Sequence, residues 1–197
     1  MIDVVVARHN EDIWWTKALG PHCRLFVYNK GDDGLLRLPN IGREAHTYLF
    51  HIVKMYDALP VWTFFSQADA NKHLTSLPFQ DVINGFPRTI PKCALHIEGG
   101  PYFFVSSAVR YNQGFKDGED WESGVPELWR ELFTTEPPQD ILFAPGAIFA
   151  ISKEKLLTRS VAFYKRAMTL AAARPRGPWE FERLWAQLWT SSLATRL

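Results

Sequence analysis

The sequence predicts an α/β fold: a single domain, residues 1–197, with a mostly parallel sheet flanked by helices. Three observations carry that expectation. Residues 2–8, 24–28 and 61–65 are β-branched or aromatic runs bounded by polar turns, the mark of strands. Between the second and third runs, Ala45, Tyr48, Leu49, Ile52, Val53 and Tyr56 recur at three- and four-residue spacing, the buried face of a helix over 41–57. A chain of 197 residues, 47% of them hydrophobic, suits one domain with a large core. Strands alternating with helices argue for parallel βαβ units.

In chain order, Asn10 or Asp12 can cap a short helix over 13–19, which Gly20-Pro21 stops. Asn29-Lys30-Gly31 and Asp32-Asp33-Gly34 close the second strand as a polar loop. Asn40 is expected to cap the 41–57 helix, and Pro39 keeps that helix from extending backwards. Further on, a helix is expected near 79–84, a strand pair near 94–97 and 102–106, and a helix at 125–133. Residues 111–126 carry no structural signal and read as a loop or lid. Residues 141–150 read as a strand broken at Pro145-Gly146. Helices over 160–173 and 178–193 complete the chain.

The 22 basic and 21 acidic residues are well mixed, with net charge +1. No basic stripe speaks for a nucleic-acid partner or a membrane surface. The opening stretch has an acid at position 3 and reads as a strand, not a signal peptide, so no membrane span and a cytoplasmic location are expected. Cys23 and Cys93 sit in apolar runs and are expected to be buried thiols, a single disulfide being the alternative. The glycine-rich dinucleotide fingerprint, the P-loop, HExxH, GxSxG and CxxC are all absent from the sequence. His46 and His51 are five apart, do not share a helical face, and read as structural.

Parallel open sheets bind ligands outside the carboxyl ends of their strands. Here three strand ends carry Arg8, His9 and Asn10, then Asn29 and Lys30, then Gln67 and Asp69. The second leads into Asn40, Gly42, Arg43 and Glu44 at a helix N-terminus, where open N–H groups favour an anion. Arg43 runs against the helix dipole, so it needs Glu44 or a ligand phosphate as a partner. Gly42 would let a phosphate approach the backbone closely. Ordinary turn and capping chemistry is the competing explanation of the same residues. Asp69 can hold a divalent ion against a diphosphate, although Ala68-Asp69-Ala70 supplies only one acid. Glu180 and Glu182 are two apart and face different ways. One is expected at the cleft and the other in an ion pair, with Glu182 the structural one because Arg183 follows it.

Taken together, residues 5–12, Tyr28-Asn29-Lys30-Gly31, residues 39–49, Gln67-x-Asp69, residues 143–150 and Glu182-Arg183-Leu184-Trp185 resemble the domain of unknown function 3431 family. Those proteins resemble glycosyltransferases of the GT-A type, which use a nucleotide-sugar donor and often Mn²⁺. The resemblance spans about 2–189 and implies a GT-A, Rossmann-like fold. It implies an enzyme that moves a sugar from a nucleotide-sugar donor to a saccharide or other acceptor, as in polysaccharide biosynthesis. Arg8, Asn10, Asn29, Lys30, Asn40, Gly42, Arg43, Glu44 and Gln67 would then bind the donor, with Mn²⁺ or Mg²⁺ on Asp69. The acceptor would sit near Gly146 and Ala147, and its proton would go to Asp69, His73, Glu180 or Glu182. The family pattern after the third strand reads Gln-Gly-Asp-Pro with a later His. This chain keeps Gln67, Asp69 and His73 but has Ala68 and Ala70. A non-catalytic nucleotide- or carbohydrate-binding module and a nucleotide-sugar hydrolase remain the alternatives.

Overall fold

The computed structural model describes residues 1–34, 36–74, 77–88, 94–96, 101–104, 110–113, 124–138 and 140–189. Among these, β1 (Ile2–Arg8), β2 (Cys23–Asn29), β3 (Leu36–Arg37), α1 (Arg43–Met55) and β4 (Trp62–Gln67) form the first half. Then come α2 (Phe79–Gly85), β5 (Ala94–His96), β6 (Tyr102–Phe104), β7 (Arg110–Gln113) and α3 (Val125–Leu132). Last are β8 (Asp140–Phe143), β9 (Phe149–Ser152), α4 (Lys153–Leu156), α5 (Val161–Ala173) and α6 (Gly177–Leu188). The main sheet has the order β3-β2-β1-β4-β9-β6-β5, and β7 and β8 form a separate pair.

The alternation of side chains along β1 and β4 explains the layers. Val5 and Phe65 enter the core beneath α1, α3, α5 and α6. Val4, Val6 and Phe64 enter a second core with Trp15, Phe79, Val82 and Ile83, on the opposite face. Covered on both faces, the central strands can be apolar throughout, which is why 2–8 and 61–65 show no polar alternation.

The sheet is mixed, and here the expectation of a mostly parallel sheet is corrected. β2 and β4 pair parallel with β1, and β3 with β2, but β9 runs antiparallel to β4, β6 to β9, and β5 to β6. Antiparallel entry needs no crossover helix, and hydrophobic periodicity carries no strand direction. The break at Pro145-Gly146 separates two strands of different sheets, β8 and β9. Arg110–Gln113, which overlaps the start of the expected structureless stretch 111–126, is a strand paired with β8. Gly118, Glu119, Asp120 and Cys93 lie outside the described residues. Cys23 is a free thiol. No helix among the described residues is long and apolar enough to cross a membrane.

Two buried polar clusters hold helices to the sheet and to each other. Asp3 is fully buried and takes a bidentate pair from Arg24 at 2.8 and 2.9 Å, with His51 Nε2 at 3.5 Å. Burial pushes the Asp3 carboxyl up, but the bonds with His51 and Arg24 outweigh it and hold it below its usual range. Tyr28 Oη lies 3.1 Å from His51 Nδ1, which ties β2 to α1 through the same group. At the other end, Arg174 joins Glu180 through Nε, Glu131 at 2.7 Å and the Gly124 carbonyl at 2.9 Å. That guanidinium links α3, α5 and α6, and the side chain of Glu180 is only 4% exposed. Glu180→Gln would leave the Arg174 charge half-compensated in the interior. It is expected to lower the unfolding free energy by about 3–5 kcal/mol in urea titrations, since removing one partner of a buried pair strands the other.

Candidate functional site

The parallel register levels three strand ends. Arg8 pairs with Asn29 across β1 and β2, and Ala7 pairs with Gln67 across β1 and β4. The ladder continues one residue further, as Lys30 N–H donates to the Arg8 carbonyl and Ala68 N–H to the Ala7 carbonyl, both at 2.9 Å. Strand order turns outward on both sides of β1, so a crevice opens at this edge. A cavity of about 320 Å³ fills it, lined by Ala7, Arg8, His9, Glu11, Lys30, Asn40, Arg43, Glu44, Gln67, Ala68 and Asp69.

Of the residues expected to bind a donor, Arg8, Lys30, Asn40, Arg43, Glu44 and Gln67 face this cavity, and so does Asp69. Asn10 and Asn29 stand behind it. Buried Asn29 donates to Asn10 Oδ1 at 3.0 Å and to Asp33 Oδ1 at 2.6 Å, while Asn10 N–H returns a bond to Asn29. A Cβ on Gly31 would collide with the Asn10 side chain, so the Asn29–Gly31 turn is compact for packing reasons. This loop fixes Asp33, whose carboxylate accepts from Arg8 at 2.8 and 3.3 Å.

Lys30 is buried, and its ammonium donates to the backbone carbonyls of Ile41 and Arg43. Burial brings it down to about 8 from 10.5. Asn40 does not cap α1. Its amide lies 3.2 Å from His9 Nε2, and the N-cap is Gly42, in the left-handed region at φ 58°, which has no side chain to cap the helix. Gly42 also fails the expected role of admitting a phosphate. A Cβ there would come within 2.7 Å of the Ala171 carbonyl, so the close approach is to α5. Arg43 has a 61% exposed side chain, with Nε 3.8 Å from Glu44 and its guanidinium 5.1 Å from the Trp179 ring centre. Glu44 is 14% exposed at its side chain. Burial above all pushes its carboxyl above the usual range. Glu182 adds to the rise, while its own backbone N–H, Arg43 and Lys30 pull it back.

Neither of the two C-terminal acids lines the cavity, and Glu182 does stand beside Arg183 as expected. Glu180 closes the ion pair with Arg174 and does not line the cavity. Glu182 accepts the N–H of Gly146 and lies 3.4 Å from Arg183. Two residues apart on a helix, the two side chains point about 200° from one another and so meet different neighbours. Because β9 enters antiparallel, Gly146 and Ala147 arrive at the edge where β4 leaves. Gln67 donates to the Gly146 carbonyl and Tyr48 to the Ala147 carbonyl, each at 3.1 Å. Both turn residues have positive φ, 97° and 50°.

Asp69 meets Lys72 at 3.2 Å, and His73 Nε2 lies 3.8 Å from its other oxygen. No three His, Cys, Asp or Glu side chains converge on a metal position among the described residues. The donor set therefore suits a divalent ion only with Asp69 as a single protein arm and ligand oxygens for the rest. His46 and His51 are structural, as their spacing suggests. His51 sits in the Asp3 cluster, and His46 stacks on Phe50, burial bringing it down to about 4. His9 lines the cavity as its strand-end position suggests; Glu11 and Trp179 are the additions, and of these Glu11 has a signal, since it continues the polar end of β1.

The titration of Lys30 makes a stability prediction. The unfolded chain keeps that proton up to 10.5, the folded one only to about 8. Between these values the unfolded state binds more protons, so this group makes stability rise with pH. Denaturant titrations from pH 8 to 10.5 are expected to show wild type gaining on Lys30→Met, and parallel curves would refute the buried charge.

No curated protein and no solved structure matches the chain. Residues 4–84 match the family described as protein of unknown function (DUF3431). That stretch is under half the chain, but it runs from β1 into α2 and contains every residue lining the cavity. The part of this protein that builds its polar cavity is what resembles the DUF3431 family.

Proposed function

We propose that this protein is a glycosyltransferase that seats a nucleotide-sugar donor at the carboxyl ends of β1, β2 and β4 and passes the sugar to an acceptor near Gly146. One observation carries the reading. Arg8, Lys30 and Arg43 meet the N-terminus of α1 at one polar cavity at the sheet's switch point, among the carboxylates of Glu11, Glu44 and Asp69. The DUF3431 likeness brings no activity with it; the transferase reading draws on the GT-A resemblance of the sequence motifs.

In the proposed reaction an acceptor hydroxyl oxygen bonds to the anomeric carbon as the bond from that carbon to the diphosphate oxygen breaks. Arg43 can give two parallel hydrogen bonds to the departing phosphate, and the open N–H groups of α1 add more. Asp69, the half-exposed cavity carboxylate held by Lys72, receives the acceptor proton. Glu182 and Gln67 hold the Gly146 turn that borders the acceptor side. If Mg²⁺ or Mn²⁺ accompanied the diphosphate, Asp69 would hold it in place of taking the proton, which would then pass to solvent, and the ion would add charge neutralisation.

Arg43 is the sharpest test. Its side chain is largely in solvent, its ion pair is long and its aromatic contact is exposed, so it contributes little to folding. Arg43→Ala should melt with wild type yet bind UDP-glucose or GDP-mannose at least about tenfold more weakly in calorimetry, with Arg43→Lys between them. A variant that binds normally and melts lower would make Arg43 a fold-holding residue. Mn²⁺ and UDP added together should stabilise the protein beyond the sum of each alone. Purely additive shifts would leave the phosphate charge to the side chains. Release of nucleoside diphosphate that an acceptor accelerates marks a transferase. Release that none accelerates marks a hydrolase, and binding without release marks a module.

A further inference from the structure

Three carboxylates line the cavity, and two are occupied. Glu11 accepts the His9 N–H, and Asp69 lies beside Lys72. Glu44 is different. Its side chain is 14% exposed, its hydrogen bond is with its own backbone N–H, and its cation contact, Arg43 Nε at 3.8 Å, is beyond hydrogen-bond distance, so no other residue's donor neutralises it. Lys30, at the end of β2, spends its ammonium on the carbonyls of Ile41 and Arg43. Tyr48, one turn along α1, gives its hydroxyl to Ala147. From α6, Glu182 adds a second negative charge that acts on Glu44. An ionised carboxylate placed this way would repel the phosphate that the surrounding cations attract.

A neutral carboxyl removes the conflict, because it carries an O–H donor where the ionised form has only acceptors. We propose that Glu44 enters the ligand complex as a neutral carboxyl, taking one proton from solvent as a diphosphate seats and donating a hydrogen bond to a phosphate oxygen. This rests on the reading of the cavity as a diphosphate site. The step balances simply: carboxylate plus a proton from water or buffer gives carboxyl, and no bond of the donor is made or broken.

Seating the ligand itself drives the change. Arg43, on the same helix, is exposed and free to swing to the phosphate, so Glu44 loses its nearest cation and gains an anion. Glu182 pushes the same way. Lys30 opposes it, as do Arg8 and a protonated His9 from the end of β1, while Asp69 beyond β4 favours it. The net result is binding that strengthens on acidification, by at most about tenfold per pH unit for one proton.

Calorimetry with UDP-glucose and with GDP-mannose tests this, since their pyrophosphates carry no titratable proton near neutral pH. In buffers of different ionisation enthalpy, wild type should take up close to one proton on binding, and its affinity should fall from about pH 6 to about pH 8. Glu44→Gln, which keeps a donor and cannot ionise, should bind at least as tightly at about pH 8 and lose both the proton uptake and the pH dependence. Wild-type binding without proton uptake overturns the proposal and needs no variant. A Glu44→Gln protein that melts like wild type but binds tenfold more weakly at every pH also overturns it, because the carboxylate would then be needed as a charge. If neither probe binds wild type at any pH, the diphosphate reading fails, and this inference with it.

Discussion

The buried ammonium of Lys30 fixes where α1 begins. By donating to the carbonyls of Ile41 and Arg43 it ties the end of β2 to the entry of the helix, and everything at the cavity follows from that clasp. A cation in low dielectric is costly unless hydrogen-bonded and balanced, and here it adds to the positive end of a helix instead of relieving it. Arg43 compounds the imbalance from the rim. Glu44 is the closest compensating charge and is itself strained by burial. The corner therefore sets a buried cation, a helix N-terminus and an enclosed carboxylate side by side, the imbalance that the proposed anionic ligand would relieve.

Backbone conformation gathers at the same place. Asn10, Arg43 and Ala147 are non-glycine residues with positive φ, at 67°, 42° and 50°. Each follows or precedes a cavity-lining or cavity-bordering group. Such conformations persist where neighbours over-determine them. Asn29 does so for Asn10, Lys30 for Arg43, and Tyr48 with Gln67 and Glu182 for the Gly146-Ala147 turn. These holders come from β2, α1, β4 and α6, so the site depends on the packing of the whole first core.

Much of this was legible in the sequence. Arg8, Lys30, Gln67 and Asp69 meet because parallel neighbours level their carboxyl ends, and the βαβ pattern of 2–67 was enough to place them on one edge. The helix over 43–55 was equally plain from its apolar spacing. What lay hidden depends on geometry that spacing does not encode. The direction of β9 decides whether Gly146 reaches Gln67 at the end of β4, and no periodicity carries direction. Gly42 looked like a phosphate seat because its neighbours are polar, yet it is small for the carbonyl of Ala171, far away in sequence. Glu180 and Glu182 differ by two steps of helix phase, about 200°. Asp3, a lone acid in an apolar strand, gave no hint that Arg24 and His51 would surround it.

The central claim is that an anionic ligand sits on this strand edge and against the first turn of α1. Hydrogen-exchange mass spectrometry with and without a saturating nucleotide-sugar measures that directly. Slowed exchange confined to residues 8–11, 40–46 and 67–69, with α5 and the Asp3 cluster unchanged, is what the account predicts. Protection centred elsewhere, or none at these segments under conditions where the ligand is bound, would contradict it.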